Sequence, residues 1–135
     1  MSTAKTRTIT LTDRAPVKIQ DDEWPVIAHG SYSDFDNGYE FQANRTWKLS
    51  IRVRRHADGR AIVYGVYDYS TAFQGERGFA ARAGKLLSAG DDIVGAIRTV
   101  GRTIAEEAEG AGHEFGAHVA VAVRECIADL PAEPI

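Results

Sequence analysis

From Trp47 to Arg54 the chain alternates without error. Trp47, Leu49, Ile51 and Val53 share one parity, and Lys48, Ser50, Arg52 and Arg54 share the other. A period of two belongs to a β-strand with one face in a core and one toward polar surroundings. A second run, Ala61–Tyr69, is rich in β-branched and aromatic residues, which suit a pleated surface. Between the two lies Ala57-Asp58-Gly59. It matches a three-residue hairpin loop, a type I turn followed by Gly in the left-handed region. A long hairpin with arms at about 46–55 and 60–69 is therefore the element around which the rest must pack.

Loop length decides which residues of the second arm face inward. Three residues make His56 oppose Arg60, so Val53 meets Val63, Ile51 meets Gly65, Leu49 meets Tyr67 and Trp47 meets Tyr69. Arg54 then meets Ile62, Arg52 meets Tyr64 and Lys48 meets Asp68 on the other side. A loop of two or four residues would invert the second arm and bury Ile62, Tyr64 and Val66 instead. The turn chemistry favours the three-residue register.

Upstream, Thr6–Leu11 and Val17–Gln20 read as short strands, and Val26–His29 as another after Pro25. Residues 33–38, Ser-Asp-Phe-Asp-Asn-Gly, carry turn chemistry. Residues 70–90 hold four Gly and no clean period, and read as a long loop with at most a short edge strand. Beyond them the period changes. Ile93, Ile97, Val100, Ile104 and Ala108 form a helical stripe, with Asp91 and Asp92 where a helix dipole favours negative charge. Gly110-Ala-Gly112 ends that helix. A second helix is expected over His113–Asp129, with Phe115, Val119, Ala122, Cys126 and Leu130 as its stripe and Pro131 as its stop.

The predicted fold class is α+β: an antiparallel sheet of four to five strands built on the central hairpin, then two C-terminal helices, about 91–109 and 113–129, on one sheet face. The 135 residues suit a single domain with short flexible tails at 1–5 and 131–135, large enough to bury a core without a staple. Cys126, the lone cysteine, fits a reducing compartment. No apolar run approaches the roughly 20 residues that cross a bilayer, and the N-terminus has no apolar signal core. A cytoplasmic protein without membrane contact is expected.

The formal net charge of −3 is unevenly spread. Residues 45–60 carry six Lys/Arg against one Asp, while the segments on either side are acidic. Arg45, Lys48, Arg52, Arg54, Arg55 and Arg60 thus crowd one ribbon beside Tyr64 and Tyr69. A basic patch on a mildly acidic chain suggests one local anionic contact. Arg and aromatic side chains concentrate binding energy in protein interfaces. The same mix on a sheet binds single-stranded nucleic acid, with bases on rings and cations along phosphates. The plain alternative is a solvated face whose Arg stems cover Tyr rings, with Lys48 paired to Asp68. The candidate binding set is Arg45, Lys48, Arg52, Arg54, Arg60 and Tyr64.

Several motif echoes fail on geometry. In His-Glu-Phe-Gly-Ala-His, His113 and His118 are five apart, about 140° around a helix, where a zinc site needs four. Residues 34–40 echo a calcium loop, but Gly38 falls one place early and Arg45 stands where the bidentate Glu belongs. Residues 78–85 echo a phosphate loop, but five residues separate the glycines and Leu86 replaces the required Ser or Thr. Cys126 sits on an apolar stripe, where an inert thiol is the usual outcome. His29, His56, His113 and His118 are scattered, and no spacing signals catalysis. No cofactor or metal is implied.

The phrases TITLTDRAPVKI, EWPVIA, QANRTWKL and RRHADGRAIVYG, with ECIADLPAE near the end, resemble small uncharacterised proteins carried by proteobacterial plasmids and integrative elements. The resemblance covers roughly residues 6–75. It implies an accessory role in transfer, maintenance or evasion of host defences, exerted by binding another macromolecule, and carries no residue roles.

These observations point to a non-catalytic binding module with a protein partner of acidic character. Single-stranded nucleic acid on the same face is the alternative, and a small enzyme of unassigned class the third reading. Exposed strand edges leave a homodimer open.

Overall fold

The alternation of residues 47–69 becomes the centre of an antiparallel meander. A computed structural model of the chain describes the backbone of residues 5–37, 43–73, 75–113 and 116–132. Its elements are β1 (Thr6–Ile9), β2 (Val17–Gln20), β3 (Val26–Asn37), β4 (Ala43–Arg55), β5 (Ala61–Thr71), β6 (Phe79–Leu87), α1 (Ile93–Gly110) and α2 (Gly116–Asp129). Strands β3-β4-β5-β6 form one sheet in that order, and β1 and β2 pair separately as a small hairpin. This is the α+β arrangement that the period change implied.

The β4–β5 register is the one set by a three-residue loop: Val53 opposes Val63, Leu49 opposes Tyr67 and Trp47 opposes Tyr69. Gly59 adopts φ 96°, a left-handed conformation that glycine enters without strain. The His56 N–H donates to the Arg60 carbonyl at 2.9 Å and the Gly59 N–H to the His56 carbonyl at 2.9 Å. Asp58 accepts from the Arg60 N–H at 3.0 Å, which holds its carboxyl below the usual carboxylate range.

One face of this sheet, the inner face, is sealed by both helices. Ile51, Val53 and Val63 are wholly buried there with Ile97 and Ile104 of α1 and Ala122 and Cys126 of α2. Each such aliphatic side chain contributes about 1.5–3 kcal/mol through removal from water. Helix α1 begins at Asp92, whose side chain accepts from the Gly95 N–H at 3.0 Å. It ends where the His113 N–H donates to the Ala108 carbonyl at 2.8 Å across Gly112, φ 88°. That closure satisfies a terminal carbonyl. Among the described residues no helix is long and apolar enough to cross a membrane.

Helix α2 also caps part of the β3 edge. The His29 N–H donates to Asp129 Oδ2 at 2.9 Å and the Ser31 N–H to Glu125 Oε2 at 3.1 Å. Gly30 permits this approach, because an added Cβ would overlap the Ala122 carbonyl oxygen and lie 2.5 Å from the Cys126 nitrogen.

Three features depart from the sequence reading. Residues 79–87, expected as loop with at most a short edge strand, form the nine-residue strand β6. Its inward residues include Ala81 and Ala83, whose small side chains carry little hydrophobic signal yet fit beneath α1. Strand β3 runs to Asn37 rather than stopping at His29, so Ser33–Asn37 is strand. Gly38, the last residue of the expected turn, lies outside the described residues. Finally, β1 and β2 do not extend the main sheet. Ile9 and Ile19 of these strands, and Leu11 of their connection, pack with Trp24 on Ile62, beside Tyr64 and Leu86. The hairpin thus covers part of the outer sheet face.

Candidate anion-binding groove

Outer-face residues stand in rows fixed by strand register. Arg54–Ile62–Leu86 forms one row, His29–Arg52–Tyr64–Gly84 the next and Ser31–Ser50–Val66–Arg82 the third. The β1–β2 hairpin covers the first row and ends on the second. There the Thr12 N–H donates to the Gly84 carbonyl at 2.9 Å, and the Gly84 N–H donates to Thr12 Oγ1 at 3.1 Å. An added Cβ at Gly84 would overlap the Thr10 carbonyl oxygen, so only glycine lets the hairpin seat this closely. Beyond that row the sheet face is open.

The step from hairpin to open sheet is a cleft of about 510 Å³. Arg7, Thr8 and Thr10 line it from the hairpin side, and Arg52, Arg54, Tyr64, Val66 and Arg82 from the sheet. Four guanidinium groups border one concavity, and their pairing differs. Arg7 Nε binds Asp21 Oδ1 at 2.6 Å, and Arg54 Nη1 reaches the same oxygen at 3.3 Å. Arg54 also donates to the Trp24 carbonyl at 2.9 Å and the Tyr64 hydroxyl at 2.8 Å. Among the described residues the Arg52 side chain donates only to Ser50 Oγ, at 3.3 Å. Among the described residues neither Arg52 nor Arg82 is ion-paired. Among the described ion pairs Asp21 is the one carboxylate that meets these four arginines, so the groove is net cationic, a setting that attracts carboxylate, phosphate or sulfate oxygens.

The six candidates that charge and alternation singled out do not share one surface. Lys48 is exposed and Arg52 half-buried on the open outer face, with Tyr64 at the boundary. Arg54, expected in water, is 6 % exposed and buried under the hairpin. A buried guanidinium requires partners, and Asp21, Trp24 and Tyr64 supply them. Arg45 has the parity of Trp47 and stands at the other end of β4. There it binds Glu76 Oε2 at 2.8 Å and lies over the Phe73 ring at 4.4 Å. Arg60 sits at the hairpin tip, bound to Asp58 Oδ2 at 2.8 Å and 5.1 Å from the Trp24 ring centroid. Arg55 is exposed beside the start of β3. Tyr69 belongs to the inner core.

Two groove arginines escaped the sequence reading. Arg82 lay in the segment read as loop. The alternation of Phe79, Ala81 and Ala83 was its available signal. Arg7 is on a strand whose position over the sheet no local pattern encodes.

A second concavity, about 480 Å³, opens near the α1–α2 turn and is lined by Asp34, Arg45, Trp47, Tyr69, Gly112, His113 and His118. Its polar groups engage one another. The Tyr69 hydroxyl donates to Glu76 Oε1 at 2.9 Å, and the Tyr67 hydroxyl lies 3.1 Å from His113 Nδ1. His113 stacks on Phe79 and meets Tyr69 edge-on, and burial pushes the Tyr67 hydroxyl up to about 12. This cluster fastens the α1–α2 turn to the sheet. Among the described residues no group of three or more His, Cys, Asp and Glu is arranged to hold a metal ion.

No protein-family model matches the chain, and neither a curated protein nor a solved structure matches it significantly.

Proposed function

We propose that the protein is a binding module that takes an acidic segment of a partner protein into the Arg7–Arg52–Arg82 groove. The observation that carries this reading is the convergence of these guanidinium groups on one cleft, with Arg52 and Arg82 free of ion pairs among the described residues. Carboxylates entering the cleft meet forked donors that bind them bidentately. Lys48, exposed on the same face, adds to encounter rate and orientation more than to affinity. This way of acting is the one implied by the resemblance to accessory proteins of mobile elements.

Single-stranded nucleic acid is the second reading, and Tyr64 weakens it. Base stacking needs an aromatic platform. Of the residues that line the groove, the one Phe, Tyr or Trp is Tyr64. Its ring packs against the hairpin cluster and its hydroxyl accepts from Arg54.

The test is fluorescence anisotropy with two labelled probes, an alternating Glu-Val peptide and an oligodeoxythymidine, at low salt. The peptide is expected to bind wild type, to weaken as salt rises, and to lose affinity by about tenfold or more in the double variant Arg52→Glu/Arg82→Glu. Arg54 is unsuitable for reversal because it is buried. Equal peptide affinity in the double variant would remove the groove from the interface. Tighter binding of the oligonucleotide than of the peptide would replace the partner class.

A further inference from the structure

Ladder parity shows which backbone groups of β6 point off the sheet. Gly84 directs both its N–H and its C=O to Thr12, away from β5, so Tyr64–Gly84 is a non-hydrogen-bonded pair of the antiparallel ladder. Val66–Arg82 and Asp68–Ala80 have the same parity. The N–H and C=O of Ala80 and of Arg82 are therefore directed outward, and among the described residues no hydrogen bond meets them. On the opposite margin Asp129 and Glu125 of α2 already accept from His29 and Ser31 of β3. An open row of donors and acceptors is a template for one more strand.

We infer that the acidic segment joins β6 as an added strand, pairing with Ala80 and Arg82 while its carboxylates turn toward the arginine groove. The inference rests on the binding reading above and specifies the partner's conformation and pattern. In an added strand, side chains of one parity lie on the outer face beside Arg82, with Arg52 and Arg7 behind it in the cleft. That parity takes Asp or Glu. Side chains of the other parity lie beside half-buried Phe79 and buried Ala81, and that parity takes apolar residues. The fitting ligand alternates acidic and apolar residues over a short extended stretch.

A second copy fits the same margin badly. Antiparallel pairing of two β6 strands about a two-fold axis puts both Arg82 side chains on one face of the joined sheet, with Arg7 and Arg52 of each behind them. Like charges brought together across strands are destabilising. Charge thus selects an acidic partner over self-association.

The experiment titrates the isotope-labelled full chain with the alternating Glu-Val peptide and follows amide exchange together with affinity. Bound peptide is expected to slow exchange of the Ala80 and Arg82 amides, which stand open in the free chain. Ala80→Pro removes one outward donor and leaves every groove arginine in place. Proline is tolerated at edge positions of this kind. Both A80P and R82E are expected to weaken binding by about tenfold or more. If R82E weakens binding while A80P binds like wild type and the Ala80 and Arg82 amides stay unprotected, strand addition is overturned and the groove reading stands. If the peptide fails to bind wild type even at low salt, both fall. Should A80P not fold, protection of the two amides in wild type decides alone. Concentration-dependent dimerisation that protects these amides without peptide would name a second copy as the occupant and overturn the proposal.

Discussion

Arg52 and Arg54 stand two residues apart on the same face of β4, and the consequences of truncating them diverge. Arg54→Ala removes the donors to the Trp24 carbonyl at 2.9 Å and the Tyr64 hydroxyl at 2.8 Å, and the contact with Asp21 at 3.3 Å. Asp21 keeps Arg7 at 2.6 Å and is 26 % exposed, so it is not stranded as a buried charge. The loss should fall at or below the roughly 3–5 kcal/mol seen when a buried ion pair is severed. The two orphaned acceptors cost about 1–3 kcal/mol each when left dry, and water entering from the adjoining cleft moderates that. A total of about 2–4 kcal/mol results. Unfolding entropy of about 2.1 cal/mol/K per residue converts this to a fall in midpoint of about 7–14 °C for a chain of this length. Arg52→Ala loses one hydrogen bond to Ser50 at 3.3 Å, worth less than about 0.5 kcal/mol at such a position. Urea titration followed by far-ultraviolet circular dichroism measures both, and an unchanged slope certifies that the unfolding reaction is the same. A difference between the two variants below about 0.5 kcal/mol would refute the assignment of Arg54 as the post that holds hairpin to sheet. Greater stability in Arg54→Met than in wild type would show that desolvation of the guanidinium outweighs its bonds.

Gly30→Ala forces a Cβ into the Ala122 carbonyl of α2. The helix must move, and a loss above about 3 kcal/mol, read by the same titration, is expected. Normal stability would mean that α2 does not rest on β3. Burial pushes the Cys126 thiol up to about 11. Iodoacetamide near pH 8 should therefore label the native chain more than about a hundredfold slower than the urea-unfolded chain, and comparable rates would contradict the burial. The hydrogen bond from Arg45 holds the Glu76 carboxyl below its ordinary range. A carboxyl lowered on folding stabilises the folded state above its unfolded value, near pH 4.3, and loses that contribution as pH falls through its folded value. The thermal-midpoint gap between wild type and Glu76→Gln should close on acidification through that window, and a gap that widens would reverse the sign.

Local periodicity made the core of the fold legible. Trp47–Val53, Asp58-Gly59 and the Ile93–Ala108 stripe each report a regular element through side chains large enough to register. The parity of Leu49 and Ile51 told which face the helices cover. Strand β6 was legible as no more than a short edge strand because Ala81, Ala83 and Gly84 are small for a tertiary reason, the close approach of α1 on one side and of Thr10 on the other. The site was only half legible for a related cause. Charge density along the sequence singled out residues 45–60, but a groove depends on which cations the fold gathers. Arg54 went inside because Asp21 and Trp24, thirty or more residues upstream, fold over it. Arg7 and Arg82 entered because the hairpin ends at Gly84. No short window of sequence contains those facts.

The carboxylates on α2 have a consequence for assembly as well as for stability. Sheets that are bare along both margins can elongate copy upon copy, which is how fibrils propagate. In this chain Asp129 and Glu125 already take the His29 and Ser31 donors of the β3 margin. A copy docking at β6 would present a margin on which these two donors are already taken, which disfavours a further joining event there.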